Sequence, residues 1–183
     1  MKRLPVQTPA MARKFLLGVV ALAALAWPSE VVAQGVKASV LSIGDGDTLR
    51  VREGNRTLNV RLACIDAPET SQAPHGANAR SQLQALAPLG SSVELRIQAT
   101  DRYGRSVAEL SRNGRSLNQA LVASGASFVY WQYIAGCDRQ TYSRLETQAR
   151  LRGLGVWSVP GGVRRPWDFR AGNRRPKTTG VAQ

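Results

Sequence analysis

The chain has a single histidine, His75, among its 183 residues. Mechanisms that need a histidine pair, or a histidine metal site with a histidine base, are closed to it. A serine triad would have to use His75, which lies in a turn between Pro74 and Gly76, and nothing near Ser71 or Ser81 completes one. Cys64 and Cys137 are the two cysteines. With one histidine they fall short of the four ligands of a structural zinc site, and without a histidine partner neither is a good nucleophile. Long apolar runs are missing as well: Phe15 to Ala26 is twelve residues, against roughly 20 for a bilayer span. No internal repeat or heptad pattern occurs, which sets aside solenoids and coiled coils. Acids are scarce, 12 against 25 lysines and arginines, for a formal net charge of +13.

Lys2, Arg3, Arg13 and Lys14 precede the short apolar run, and Val31-Val32-Ala33 follow it before Gln34. That basic, apolar, small-residue order is the pattern of a secretory signal peptide cut after Ala33. The expectation is an exported protein, secreted or periplasmic, with residues 1–33 removed and no stable membrane insertion. About 150 residues remain, enough for one domain with one buried core. Beyond the leader only Lys37 and Lys177 are lysines, so the positive charge is carried by arginine. Such a surplus draws polyanions. Nucleic acid is the first partner to consider, although charge alone fits an anionic membrane or a heparin-like polymer equally. Residues 159–183 hold Arg164, Arg165, Arg170, Arg174, Arg175 and Lys177 against Asp168, interleaved with Pro160, Gly161, Gly162, Pro166 and Pro176. This composition reads as a basic, unfolded tail. In an oxidising compartment Cys64 and Cys137 could bridge; otherwise Cys64 serves as a small core thiol, and spacing does not decide.

Val36 to Ile43 and Leu49 to Val51 read as strands, with a turn at Arg52-Glu53-Gly54-Asn55. Thr57 to Ile65 is a third strand with Leu58, Val60, Leu62 and Cys64 on one face. After Pro68, Pro74 and Gly76, the stretch Ala77 to Ala87 has helical spacing. Val93, Leu95 and Ile97 alternate with polar residues in a fourth strand, and Val107 to Leu110 makes a fifth. Leu117, Ala120, Leu121 and Ser124 mark a second helix and Tyr142 to Arg152 a third. The order β-β-β-α-β-β-α-α predicts a mixed α+β domain, mainly β, over residues 34–158: a five-stranded Greek-key barrel with three helices packed against it.

Three short stretches put acids and arginines into one set: Gly44-Asp45-Gly46-Asp47-Thr48, Arg61-Leu62-Ala63-Cys64-Ile65-Asp66-Ala67-Pro68-Glu69-Thr70 and Asp101-Arg102-Tyr103-Gly104-Arg105. Carboxylates bind hard cations through oxygen, and guanidinium forks grip phosphate oxygens in pairs. Arg61 sits in an apolar strand, where an unpaired arginine is costly, so a partner or a function is expected for it. Asp45 and Asp101 read as turn-forming carboxylates.

In this order and spacing the three stretches resemble the staphylococcal nuclease (thermonuclease) family, from about Val36 to Ser158, ending in Gly153-Leu154-Gly155-Val156-Trp157. The resemblance implies a barrel of OB type and a monomeric, calcium-dependent, sugar-non-specific nuclease cutting DNA and RNA to 3′-phosphate ends. Asp47 and Asp66 match the family's calcium carboxylates, with the carbonyl of Ala67 as a further ligand. Alanine replaces the usual threonine there, so a hydroxyl is absent. Glu69 matches the residue that orients or activates the attacking water. Arg61 and Arg105 match the arginines that clamp the scissile phosphate, and Tyr103 and Tyr130 those lining the nucleotide pocket. Trp131 and Tyr133 would extend that aromatic surface. The segment from Glu69 to Val93 is shorter than in the best-known member and is not lysine-rich. The alternative reading is a non-catalytic nucleic-acid-binding module with the same fold.

Overall fold

The structure, a computed structural model, describes residues 35–174. The leader expected at residues 1–33 and the last part of the basic tail lie outside the described residues. Strands β1 (Val36–Ile43), β2 (Thr48–Glu53) and β3 (Arg56–Leu62) form an antiparallel meander. A two-residue strand, β4 (Ile65–Asp66), precedes helix α1 (His75–Leu86). Then come β5 (Ser92–Thr100), β6 (Ser106–Arg112), the short β7 (Arg115–Ser116), α2 (Leu117–Ala123) and β8 (Phe128–Val129). Helix α3 (Arg139–Leu151) and helix α4 (Pro166–Arg174) close the order.

β5 pairs with β1 and β6 with β5, and β6 returns to pair in parallel with β3 through Val60↔Ser106, Arg61↔Val107 and Leu62↔Ala108. That last pairing closes a five-stranded barrel of OB type, the predicted fold, and β7 extends one edge. Closure bends β1 and β5 at register shifts after Val40 and Ile97. Alternation sorts the side chains. Val40, Leu49, Val51, Val60, Leu62, Leu95, Ala108 and Leu110 fill the barrel, so Arg61, between Val60 and Leu62 on β3, faces outward.

Two expectations need correction. The third strand does not run to Ile65. It stops at Leu62, where the chain turns through Cys64 at φ 65°, a left-handed conformation rare outside glycine. Buried Asn118 of α2 pins this turn, its amide donating to the Ala63 and Ala108 carbonyls while its oxygen accepts the Leu110 N–H. Ile65–Asp66 then pairs with β8 rather than with the barrel. Cys64 is bridged to Cys137, 73 residues on, so it is neither a free thiol nor a strand residue.

The second correction concerns the tail. Among the described residues four helices, not three, accompany the barrel, and the segment from Val159 to Arg174 is not an unfolded tail. The Val163 N–H donates to the Val156 carbonyl at 2.7 Å and the Gln72 amide to the Arg164 carbonyl at 2.9 Å. Pro166 occupies the first position of α4, where its missing N–H costs nothing, and Asp168 lies in its first turn. Trp167 packs edge-on to Phe128 beside Trp157, forming a second apolar cluster outside the barrel. The tail's charge and its proline and glycine content conceal this aromatic anchor.

Candidate active site

The loop from β1 to β2 carries Asp47 inward. Its N–H donates to the Asp45 carboxylate at 3.0 Å, so Asp45 shapes the turn. Gly46 lies so close to α1 and β4 that a Cβ there would meet the Cβ atoms of Ala79 and Ala67 at 2.5 and 2.6 Å. Asp47 is consequently only 2% exposed. Its Oδ2 accepts the Ala67 N–H at 2.6 Å, and its Oδ1 accepts the Thr48 hydroxyl at 3.3 Å and one Arg61 amino group. The other Arg61 amino group donates to Asp66 Oδ1 at 2.6 Å. One guanidinium therefore joins two buried aspartates, the three groups coming from the β1–β2 loop, β3 and β4.

Asp66, fully buried on β4, is gripped from its other side by α4. Arg170 donates to both Asp66 oxygens, at 3.1 Å to Oδ1 and 2.7 Å to Oδ2, and to Glu69 Oε1 at 2.6 Å. Glu69 is drawn into the cluster by that bond; its own N–H is held by Gln72 at 2.9 Å. The result is three carboxylates threaded by two guanidiniums, with donors aimed at every acid.

Burial pushes the Asp47 carboxyl up to about 7; Arg61 pulls it back, while Asp45 and Asp66 add to the rise. For Arg61, burial disfavours the charge, but Asp47 and Asp66 lift it above its ordinary value. All of Asp47's contacts are donors, so the carboxylate is the form the site satisfies, and burial makes it take up a proton as pH falls through about 7. Arg170 behaves like Arg61: burial opposes its charge, and hydrogen bonds to Asp66 and Glu69 more than restore it.

Tyr130 follows β8, whose Val129 N–H, with the Trp131 indole N–H, is held by Glu146 of α3. Its ring stacks on Trp167 at 5.0 Å with planes 1° apart and meets Tyr133 edge-on at 4.7 Å. Burial, then the nearby Asp66 charge, raise its hydroxyl pKa.

Arg105 and Tyr103 do not contact this cluster. Asp101 accepts the N–H groups of Tyr103 and Arg105 at 2.9 and 3.0 Å and the Arg105 side chain at 2.8 Å, and the guanidinium lies 5.4 Å from the Tyr103 ring. Burial acts to raise the Asp101 pKa, but these donors lower it overall. The parallel pairing of β3 with β6 sets Arg61 beside Val107, so Arg105, two residues earlier, lies on the adjoining strand's approach to the same outer face.

Arg170 and Trp167 are the residues that reading the sequence missed. The only signal was Pro-Trp-Asp-Phe-Arg within an otherwise basic stretch, and nothing local says where such a helix docks. A cleft of about 240 Å³ between α1 and the Gly125 and Gly155 turns carries no carboxylate or guanidinium among its lining residues, so it is not this site.

The acids offer oxygen alone, with neither sulfur nor imidazole, which suits a hard cation such as calcium. Among the described residues no three acidic, histidine or cysteine side chains gather at metal-binding spacing. The chain would supply two aspartates and a backbone carbonyl, leaving the remaining positions to water and phosphate. The donor set fits calcium on those terms.

An OB-type barrel with buried aspartates bridged by arginine at its rim brings together carboxylate oxygens and guanidinium forks, the groups that bind hard cations and phosphate. The chain belongs to the staphylococcal nuclease homologue family, whose model matches residues 59–159. It is 35% identical over 147 residues to a micrococcal nuclease of Shigella flexneri, covering 75% of this chain and 82% of that protein. It is 32% identical over 145 residues to an uncharacterized endonuclease of Escherichia coli O157:H7, covering 79% and 90%. It is 34% identical over 170 residues to protein ParB of Escherichia coli, covering 87% and 90%. These relationships support a nuclease, a phosphodiester hydrolase acting on nucleic acid, over the binding module.

Proposed function

We propose that this nuclease is an exported, calcium-dependent enzyme that hydrolyses DNA and RNA alike to 3′-phosphate products. The observation that carries the reading is the joining of Asp47 and Asp66, both buried, by Arg61. A carboxylate pair is held beside a guanidinium able to turn a second face to phosphate. Export is supported by the basic, apolar and small-residue order of residues 1–33 and by the Cys64–Cys137 bridge, a feature of oxidising compartments.

Calcium, held by Asp47, Asp66 and the Ala67 carbonyl, would supply positive charge to a phosphate oxygen. Glu69 orients a water and accepts its proton as oxygen attacks phosphorus. The phosphorus–O5′ bond breaks, the departing O5′ takes up a proton from solvent to become a hydroxyl, and the phosphate stays on the 3′ side. Arg61 and Arg105 stabilise the charge that grows on the equatorial oxygens, each worth about 3–5 kcal/mol on the scale of single preorganised groups. For Arg105 this means exchanging some of its hold on Asp101 for the substrate. Tyr103 offers an exposed ring to the nucleotide without regard to base identity, and Tyr130, whose ring is covered on one face by Trp167, offers its hydroxyl to phosphate.

The test is digestion of single-stranded DNA and RNA by the purified protein, with product ends identified. Cleavage of both in calcium, arrest by chelator and 3′-phosphate ends are expected. Undiminished cleavage in chelator contradicts the calcium assignment, and 5′-phosphate ends contradict the assignment of the leaving group.

A further inference from the structure

We propose that α4, beyond the segment matched by the family model, completes the active site, and that its Arg170 is an exchangeable positioning residue. It would hold the Asp66 and Glu69 carboxylates together until calcium arrives, then yield Asp66 to the cation while remaining on Glu69. This rests on the calcium reading above.

The contact is built rather than incidental. Trp167 stacks flat on Tyr130, and the Arg165 guanidinium lies over the Phe128 and Trp157 rings at 4.1 and 4.6 Å. The Val163–Val156 and Gln72–Arg164 hydrogen bonds tie down the approach to the helix. Apolar packing and backbone pairing thus deliver Arg170, independently of the acids it meets.

The acids then say what it does. Both oxygens of Asp66 already accept from guanidinium: Oδ1 from Arg61 and Arg170, Oδ2 from Arg170. Oδ1 is filled by two donors and Oδ2 keeps one lone pair beside the Arg170 charge, so an entering cation is repelled until one arginine gives way. Arg61 bridges both aspartates and its side chain is 16% exposed; Arg170 touches one aspartate and is 30% exposed. Arg170 also has Glu69 to retain it after the exchange. It is the partner that moves at lower cost, and its retained charge keeps Glu69 from swinging onto the cation.

The experiment measures calcium binding alone, by calorimetry without nucleic acid, together with kcat on single-stranded DNA, for wild type, R170Q and R170K. Removing the competitor should make R170Q bind calcium more tightly, roughly five- to tenfold, the ordinary range of site coupling. Its kcat should fall by at least the same factor, because Glu69 loses its anchor. R170K, which keeps the charge and loses the fork, should lie between on both measures. Opposite signs in one variant are the signature, since a general loosening of the acid cluster would weaken both, and R170K, which keeps α4 charged at this position, separates loss of the fork from loss of the helix contact. Calcium affinity in R170Q equal to or below wild type, with wild type binding calcium, overturns the role of Arg170 alone. No calcium binding by wild type, with DNA still cut in chelator, overturns the calcium reading and this proposal with it.

Discussion

Gly76 and Glu69 touch where a side chain would otherwise stand: a Cβ on Gly76 would lie 2.0 Å from the Glu69 carbonyl oxygen. The start of α1 is thereby pressed against the backbone that presents Glu69, and glycine is required for proximity rather than for an unusual dihedral. Gly76→Ala must push that backbone aside. A loss of about 2 kcal/mol or more in urea unfolding is expected, on the scale of overpacking, with a large drop in kcat and little change at Asp47. Wild-type stability and turnover in this variant would show that the contact is slack.

The Cys64–Cys137 bridge pins the turn between Arg61 and Asp66 and closes a separation of 73 residues. Converting both cysteines to alanine should cost about 4 kcal/mol from the entropy returned to the unfolded chain. Activity at temperatures where the variant stays folded should also fall, since the turn carries both residues. Denaturant curves with and without reductant check this: reductant should weaken wild type and leave the variant unmoved.

Stability of the calcium-free protein should depend on Asp47 in an unusual direction. Its folded pKa is raised, from 3.8 to about 7, chiefly by burial. Between those values the folded form binds more protons than the unfolded chain. This contribution is complete below about pH 4 and is lost as pH rises through about 7. Asp47→Asn should remove that slope, as read from urea midpoints in chelator between pH 4.5 and 7.5. An identical slope in wild type and variant would show that Asp47 does not carry it.

Much of this was legible in the sequence, and for physical reasons. Alternation in Val93, Leu95 and Ile97 marks a half-buried strand, and Arg61 between Val60 and Leu62 had to point out of the barrel toward a partner. What the sequence concealed depends on long-range contact. Cys64 continues the β3 alternation by residue type, yet Asn118 and the bridge to Cys137 turn the chain there. Trp167 and Arg170 look like tail residues until Phe128 and Tyr130, some 40 positions earlier, give the tryptophan somewhere to lie. Asp101, Tyr103 and Arg105 were legible as a turn, but their separation from the acid cluster was not.

The most direct test of the catalytic assignment is the turnover of Glu69→Gln on single-stranded DNA at saturating calcium, with calcium affinity measured on the same sample. Glutamine keeps the shape and an acceptor oxygen but cannot take a proton at neutral pH. The account predicts a fall in kcat of about 100-fold or more, the lower range of general-base contributions, with calcium affinity changed only a few-fold. Turnover matching wild type, with calcium bound normally, would contradict it.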